Sequence, residues 1–155
     1  MIFVSHVIPV NEPGEPRLDR AAVWEGLVLK ANNALPFVPA MSNCKVVQRY
    51  GDACFDRDIR IRGDAFRERI TLEKPHRVVF TRLSGPVLGT IANEIEGEGE
   101  GDDMRLRFSF ALVLAGTPGN SEAEEKYART MTGDYIQALT ATRDAMRRIA
   151  VDHAA

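Results

Sequence analysis

Two ionisable residues, Arg57 and Glu68, sit inside strand-like runs at positions that alternation turns inward. Charged side chains are seldom fully buried without a partner, so the pair needs a physical reason. Phe55, Arg57, Ile59 and Ile61 share one face of the first run, and Phe66, Glu68, Ile70 and Leu72 share the matching face of the next. If Gly63-Asp64 is the intervening turn, Ile59 stands opposite Glu68, and Arg57 and Glu68 are diagonal neighbours. Charge removed from water is costly unless it is paired or hydrated. Three arrangements therefore compete. The pair lines a hydrated cavity and engages a carboxylate or ketone, or it is a buried ion pair with no further role, or a bulge slips the register and returns one or both residues to solvent.

Other polar groups fall at the same level. Asn93 is the lone polar residue among Ile91, Ile95 and the Phe108 and Phe110 face. It either orients a ligand oxygen or bonds nearby backbone or water. Tyr127 and Tyr135 present hydroxyls from the closing helix with Met131 between them, as ligand contacts or as core aromatics with hydroxyls at the rim. The candidate cavity set is thus Arg57, Glu68, Asn93, Phe108, Phe110, Tyr127, Met131 and Tyr135.

No catalytic residue is assignable beyond these. His6, His76 and His153 have no recognisable partner, and no GxSxG, HExxH, Walker loop or GxGxxG is present. Acid–base catalysis by Arg57, Glu68 or a tyrosine remains open, because it needs only placed polar groups. Cys44 and Cys54 lack metal-ligand spacing and read as reduced thiols of a cytoplasmic protein. Neither a metal nor a cofactor is expected.

The elements that must position these groups follow from turn signals every 8–12 residues, which indicate an antiparallel meander rather than βαβ units. Ile2 to Val10 reads as a first strand, ended by Asn11-Glu12-Pro13-Gly14. Asp19 caps a helix with Val23, Trp24, Leu27, Val28 and Ala31 on its buried face, and Leu18 and Val23 form a hydrophobic staple. Ala34 to Met41, with two prolines, is at most one further helical turn. Strands then run Cys44 to Tyr50, Cys54 to Arg62, Phe66 to Glu73, from Lys74-Pro75 to near Leu83, Leu88 to Glu96 and Met104 to Leu114. In the fifth strand the inward set is Val78, Phe80 and Arg82 or Val79, Thr81 and Leu83, and the uncharged second set is preferred. Glu94 and Glu96 lie outward across from Arg105 and Arg107. Ser121 and Glu124 make a capping box for a helix to about Ala150, with Tyr127, Met131, Tyr135, Ala138, Thr142, Ala145 and Ile149 on one stripe. Gly133 is expected to leave a gap in that stripe, facing the polar patch. Arg60, Arg62, Arg67 and Arg69 are expected on the outer face, partly paired with Asp56 and Asp58.

With 155 residues, 45% hydrophobic and 27% charged, the chain fits a single domain spanning 1–155. A net charge of −2 argues against nucleic acid. No apolar run approaches the ~20 residues of a membrane span, and MIFVSHVIPV lacks the basic start of a signal peptide.

A strand, a helical excursion, a six-stranded meander and a long closing helix form an α+β, helix-grip order. Together with MIFVSHVIPVN, LDRAAVWEGLVLKANN and the VLGTIANEIEGEGEG–MRLRFSF hairpin, this order resembles the START/Bet v 1-like (SRPBCC) superfamily, and most of all its AtaL-like branch. The resemblance implies a seven-stranded curved sheet around the C-terminal helix. It also implies a cavity between them, since members bind lipids, sterols, polyketides or plant hormones, others are aromatase/cyclases, and some contact chaperones. The expectation is a container for a small, mostly hydrophobic molecule with a polar or anionic group, a reading that a filled interior with no pocket above roughly 300 Å³ would overturn. The alternatives are a cyclase, dehydratase or lyase using the same cavity, and an interaction module such as a homodimer through an outer face.

Overall fold

The computed structural model describes residues 1–99 and 101–154, the last two of them by backbone alone. Seven antiparallel strands, β1 (Ile2–Pro9), β2 (Met41–Arg49), β3 (Cys54–Ile61), β4 (Asp64–Glu73), β5 (Arg77–Ser84), β6 (Val87–Glu96) and β7 (Arg105–Leu114), form one sheet. Their order is β1-β7-β6-β5-β4-β3-β2, so the meander runs outward from β7 while β1 pairs β7 on its other side. Helix α1 (Arg20–Asn32) leaves β1, and α2 (Glu122–Ala154) closes the chain. At 1.5 Å per residue the 33 residues of α2 reach about 50 Å, long enough to lie across the whole sheet.

Local chemistry sets the boundaries. The Asp19 carboxylate accepts the Ala22 N–H at 2.8 Å and so caps α1. The Ser121 hydroxyl accepts the Glu124 N–H at 3.2 Å at the start of α2, but the Glu124 carboxylate turns to the Asn120 N–H, so only half of the capping box forms. Alternation delivers the inner face of the sheet, where Phe55, Ile59, Phe66, Ile70, Ile91, Ile95, Leu106, Phe108, Phe110 and Leu112 are all buried. Met131, Ala138, Leu139, Ala145 and Met146 of α2 cover them. Outside, Arg107 pairs with Glu96 at 2.8 Å, Arg67 with Asp58 and Arg69 with Asp56.

Four expectations need correction. The hairpin between β3 and β4 turns at Arg62-Gly63, both at positive φ, as a two-residue primed turn requires. The pairing is therefore Ile61 with Asp64, and Arg57 stands directly opposite Glu68 rather than diagonal to it. In β5 the buried set is Val78, Phe80 and Arg82, the set that avoidance of charge had disfavoured. Arg82 is tolerated inside because Glu68 is its neighbour in register. Gly133 is exposed, and a Cβ built on it meets nothing within 4 Å. At 100° per residue it lies about 200° around the helix from both Met131 and Tyr135, so it leaves no gap in the inward stripe. Arg62 does not belong to the outer face. It forks onto the Asp134 carboxylate of α2 at 2.5 and 2.7 Å, tying the β3–β4 turn to the helix.

Candidate functional site

Arg57 is fully engaged by its surroundings. Its Nε and Nη2 donate to Glu68 Oε1 at 3.1 and 3.0 Å, and its Nη1 donates to the Lys30 and Ala31 carbonyl oxygens at 3.0 and 2.9 Å. Those carbonyls belong to the last turn of α1, which has no helical donors of its own and carries partial negative charge. Arg57 thus pins the end of α1 to the sheet.

Glu68 takes a second cation on its other oxygen, with Arg82 Nε at 3.2 Å. Arg82 Nη2 also donates to the Tyr135 hydroxyl at 3.4 Å, but Arg82 Nη1 is buried without a partner. Burial pushes the Glu68 carboxyl up, yet the two guanidiniums outweigh it and hold the group below its ordinary value. Glu68 is therefore a carboxylate at neutral pH. Two guanidiniums against one carboxylate leave an excess positive charge inside the protein.

Lys30 adds to that excess. Residues 23, 27 and 30 form one helical stripe, which turns Lys30 toward the sheet with Val23 and Leu27. Its ammonium donates to Asn93 Oδ1 at 2.5 Å and stands over the Phe108 ring at 4.1 Å and the Phe80 ring at 5.2 Å. Burial first, and the Arg57 charge second, lower its pKa from 10.5 to about 7, with Glu68 opposing. The other cations also stack on rings, Arg57 over Phe80 and Arg82 over Phe66. Burial pushes the Tyr135 hydroxyl up to about 12, against the pull of Arg82, so it stays a donor at neutral pH.

These groups surround a cavity of about 100 Å³ under the first half of α2. Arg57, Glu68, Phe80, Arg82, Ile91 and Phe108 contribute from the sheet, Tyr127, Met131, Asp134, Tyr135 and Ala138 from α2, and Lys30 from α1. Six of the eight residues expected there do line it. Asn93 sits behind Lys30, and Phe110 supports Tyr135 with ring centroids 4.4 Å apart. Lys30 lies outside the expected set, and Phe80 and Arg82 belong to the inward alternative of the fifth strand that its charge disfavours. The volume fails the threshold of roughly 300 Å³ set for a ready-made container, because three long cations and two phenylalanine rings occupy the interior, so a ligand there must displace side chains. No helix among the described residues is long and apolar enough to cross a membrane.

A family model described as AtaL, acetylaranotin biosynthesis cluster protein L, matches residues 4–153. No curated protein matches the chain. Among solved structures, the Zhui aromatase/cyclase from Streptomyces sp. R1128 aligns at 16% identity over 95% of this chain and 94% of that one, with a TM-score of 0.69. Protein XoxI from Bacillus cereus aligns at 15% identity over 94% and 96% of the two chains, with a TM-score of 0.67. A START superfamily protein from Mycobacterium smegmatis aligns at 16% identity over 90% and 94%, with a TM-score of 0.58. At such identities the likeness is one of fold. The chain belongs to the AtaL family, on a START/Bet v 1-like helix-grip fold.

Proposed function

We propose that the cavity binds a small, mostly apolar molecule through an anionic group or a polarised carbonyl oxygen. The observation that carries this reading is the unpartnered Arg82 Nη1 in a buried site with more cations than carboxylates. A buried donor without an acceptor costs about 1–3 kcal/mol, and an anion supplied by a ligand would relieve that cost. Arg57 is not the ligand's main partner in this reading, since all three of its nitrogens are already engaged. The aromatic and aliphatic walls favour an apolar body, and the present volume favours a small one. Calorimetric titration tests the reading with benzoate and, as a neutral counterpart, benzyl alcohol. Saturable binding of benzoate but not of the alcohol supports it; equal binding, or none of either, overturns it.

A second reading is a cyclase, dehydratase or lyase acting in the same cavity. Tyr135 favours it, because its hydroxyl lines the cavity beside the Arg82 guanidinium and is placed to donate a hydrogen bond to a carbonyl oxygen as charge develops on it. In that reading Tyr135→Phe abolishes turnover of a hydrophobic carbonyl substrate and leaves benzoate affinity intact. Turnover retained by the variant rejects the role.

A further inference from the structure

The lysine that approaches the cavity from α1 has a setting unlike the chain's other three. Lys45, Lys74 and Lys126 are exposed, whereas Lys30 is only 5% exposed. Its nitrogen bonds a neutral amide oxygen rather than a carboxylate, and the buried carboxylate of the cavity, Glu68, is taken up by Arg57 and Arg82, while Asp134 at its edge is taken up by Arg62. The groups facing it are Phe80 on β5, Asn93 on β6 and Phe108 on β7, and the charges that reach it are Arg57 on β3 and Glu68 on β4. An ammonium with no carboxylate of its own, held beside the Arg57 cation and two rings, contributes poorly as a structural ion. It is well placed as an amine.

We propose that Lys30 is a nucleophile that forms a reversible imine with the carbonyl carbon of a small oxo acid held in the same cavity. The inference rests on the reading of the cavity as an anion-binding site and adds covalent chemistry to it. The neutral Nζ donates its electron pair to the carbonyl carbon as the C=O π bond breaks, and the proton that the nitrogen then sheds ends on the oxygen to give a carbinolamine. Loss of that hydroxyl as water, with one further proton, leaves the protonated imine. The sum is amine plus carbonyl plus one proton giving protonated imine plus water, without any oxidant or reductant. Two features of the site favour the step. A pKa of about 7 leaves a large share of Lys30 unprotonated at neutral pH, whereas an ordinary lysine is unprotonated only about three or four times in ten thousand. Asn93 Oδ1 fixes the position of the nitrogen.

The test treats the intact protein with glyoxylate and cyanoborohydride, which reduces any imine to a stable carboxymethyl-lysine, and maps the label by peptide mass. Lys30 is expected to label roughly tenfold or more faster than Lys45, Lys74 and Lys126, at a rate that rises through about pH 7 and falls when benzoate competes. The three exposed lysines are internal controls, so no variant has to fold. Equal labelling of all four, or sparing of Lys30, overturns the proposal. Sparing of Lys30 while benzoate still binds by calorimetry refutes the imine alone; sparing with no benzoate binding removes the anion site as well.

Discussion

Replacing Lys30 with Met keeps most of the apolar stem of the side chain and deletes the amine. In the folded chain, burial and then Arg57 lower the pKa of this amine from 10.5 to about 7. In the unfolded chain lysine regains its ordinary value, so between those two pH values the unfolded state binds more protons. Stability must therefore rise with pH through that window. Lys30 weakens the fold most below pH 7, and its penalty fades as pH climbs toward 10.5. At ~1.36 kcal/mol per pKa unit the whole shift corresponds to about 5 kcal/mol, of which about 3 kcal/mol disappears between about pH 6 and about pH 9. The Met variant also strands Asn93 Oδ1, at a cost of about 1–3 kcal/mol that does not depend on pH. Whatever the variant's absolute stability, its advantage over the wild type should shrink by about 3 kcal/mol across that range. Urea unfolding at each pH, followed by the fluorescence of the single tryptophan, Trp24, gives the difference directly. A difference constant to within about 0.5 kcal/mol would refute the argument that a lysine charge is being suppressed by burial.

Glu68→Gln leaves Arg57 and Arg82 facing each other with no carboxylate between them, and should lower stability by about 3–5 kcal/mol in urea unfolding. A loss under about 1 kcal/mol would mean the network is hydrated rather than buried. Arg82→Met should weaken benzoate binding by about 1.5–3 kcal/mol, measured by calorimetry, the value of a hydrogen bond to a charged group. Unchanged affinity would place the anion elsewhere. Gly133→Ala should raise stability by about 0.5–1 kcal/mol without altering benzoate affinity, because the position is mid-helix and faces solvent. A change in affinity would return Gly133 to the cavity.

Element order was readable because its signals are local. Asp19, the Asn11-to-Gly14 turn and the alternation of Leu106, Phe108, Phe110 and Leu112 each act within a few residues of themselves. Arg57 and Glu68 were legible for the same reason, since each interrupts an apolar alternation. Arg82 was passed over because its burial depends on a neighbour 14 residues away, and single-strand patterning disfavours charge inside. Lys30 had a readable sign, its place on the stripe with Val23 and Leu27, but its partner Asn93 lies 63 residues on. Gly133 failed on angle alone: two residues past Met131 is the far side of a helix. The direct pairing of Arg57 with Glu68 turned on which two residues form the hairpin loop. Positive φ at Arg62, a residue type that seldom adopts it, is hard to anticipate from sequence.

The central claim is that a buried site with surplus positive charge takes an anionic small molecule. A crystal structure of the protein with benzoate tests it most directly. A carboxylate oxygen is expected within hydrogen-bond distance of Arg82 Nη1, with the ring against Phe80, Phe108 or Tyr135 and the cavity enlarged beyond its present volume of about 100 Å³. Benzoate found only on the outer arginines of β3 and β4, with Arg82 Nη1 still unpartnered, would contradict it.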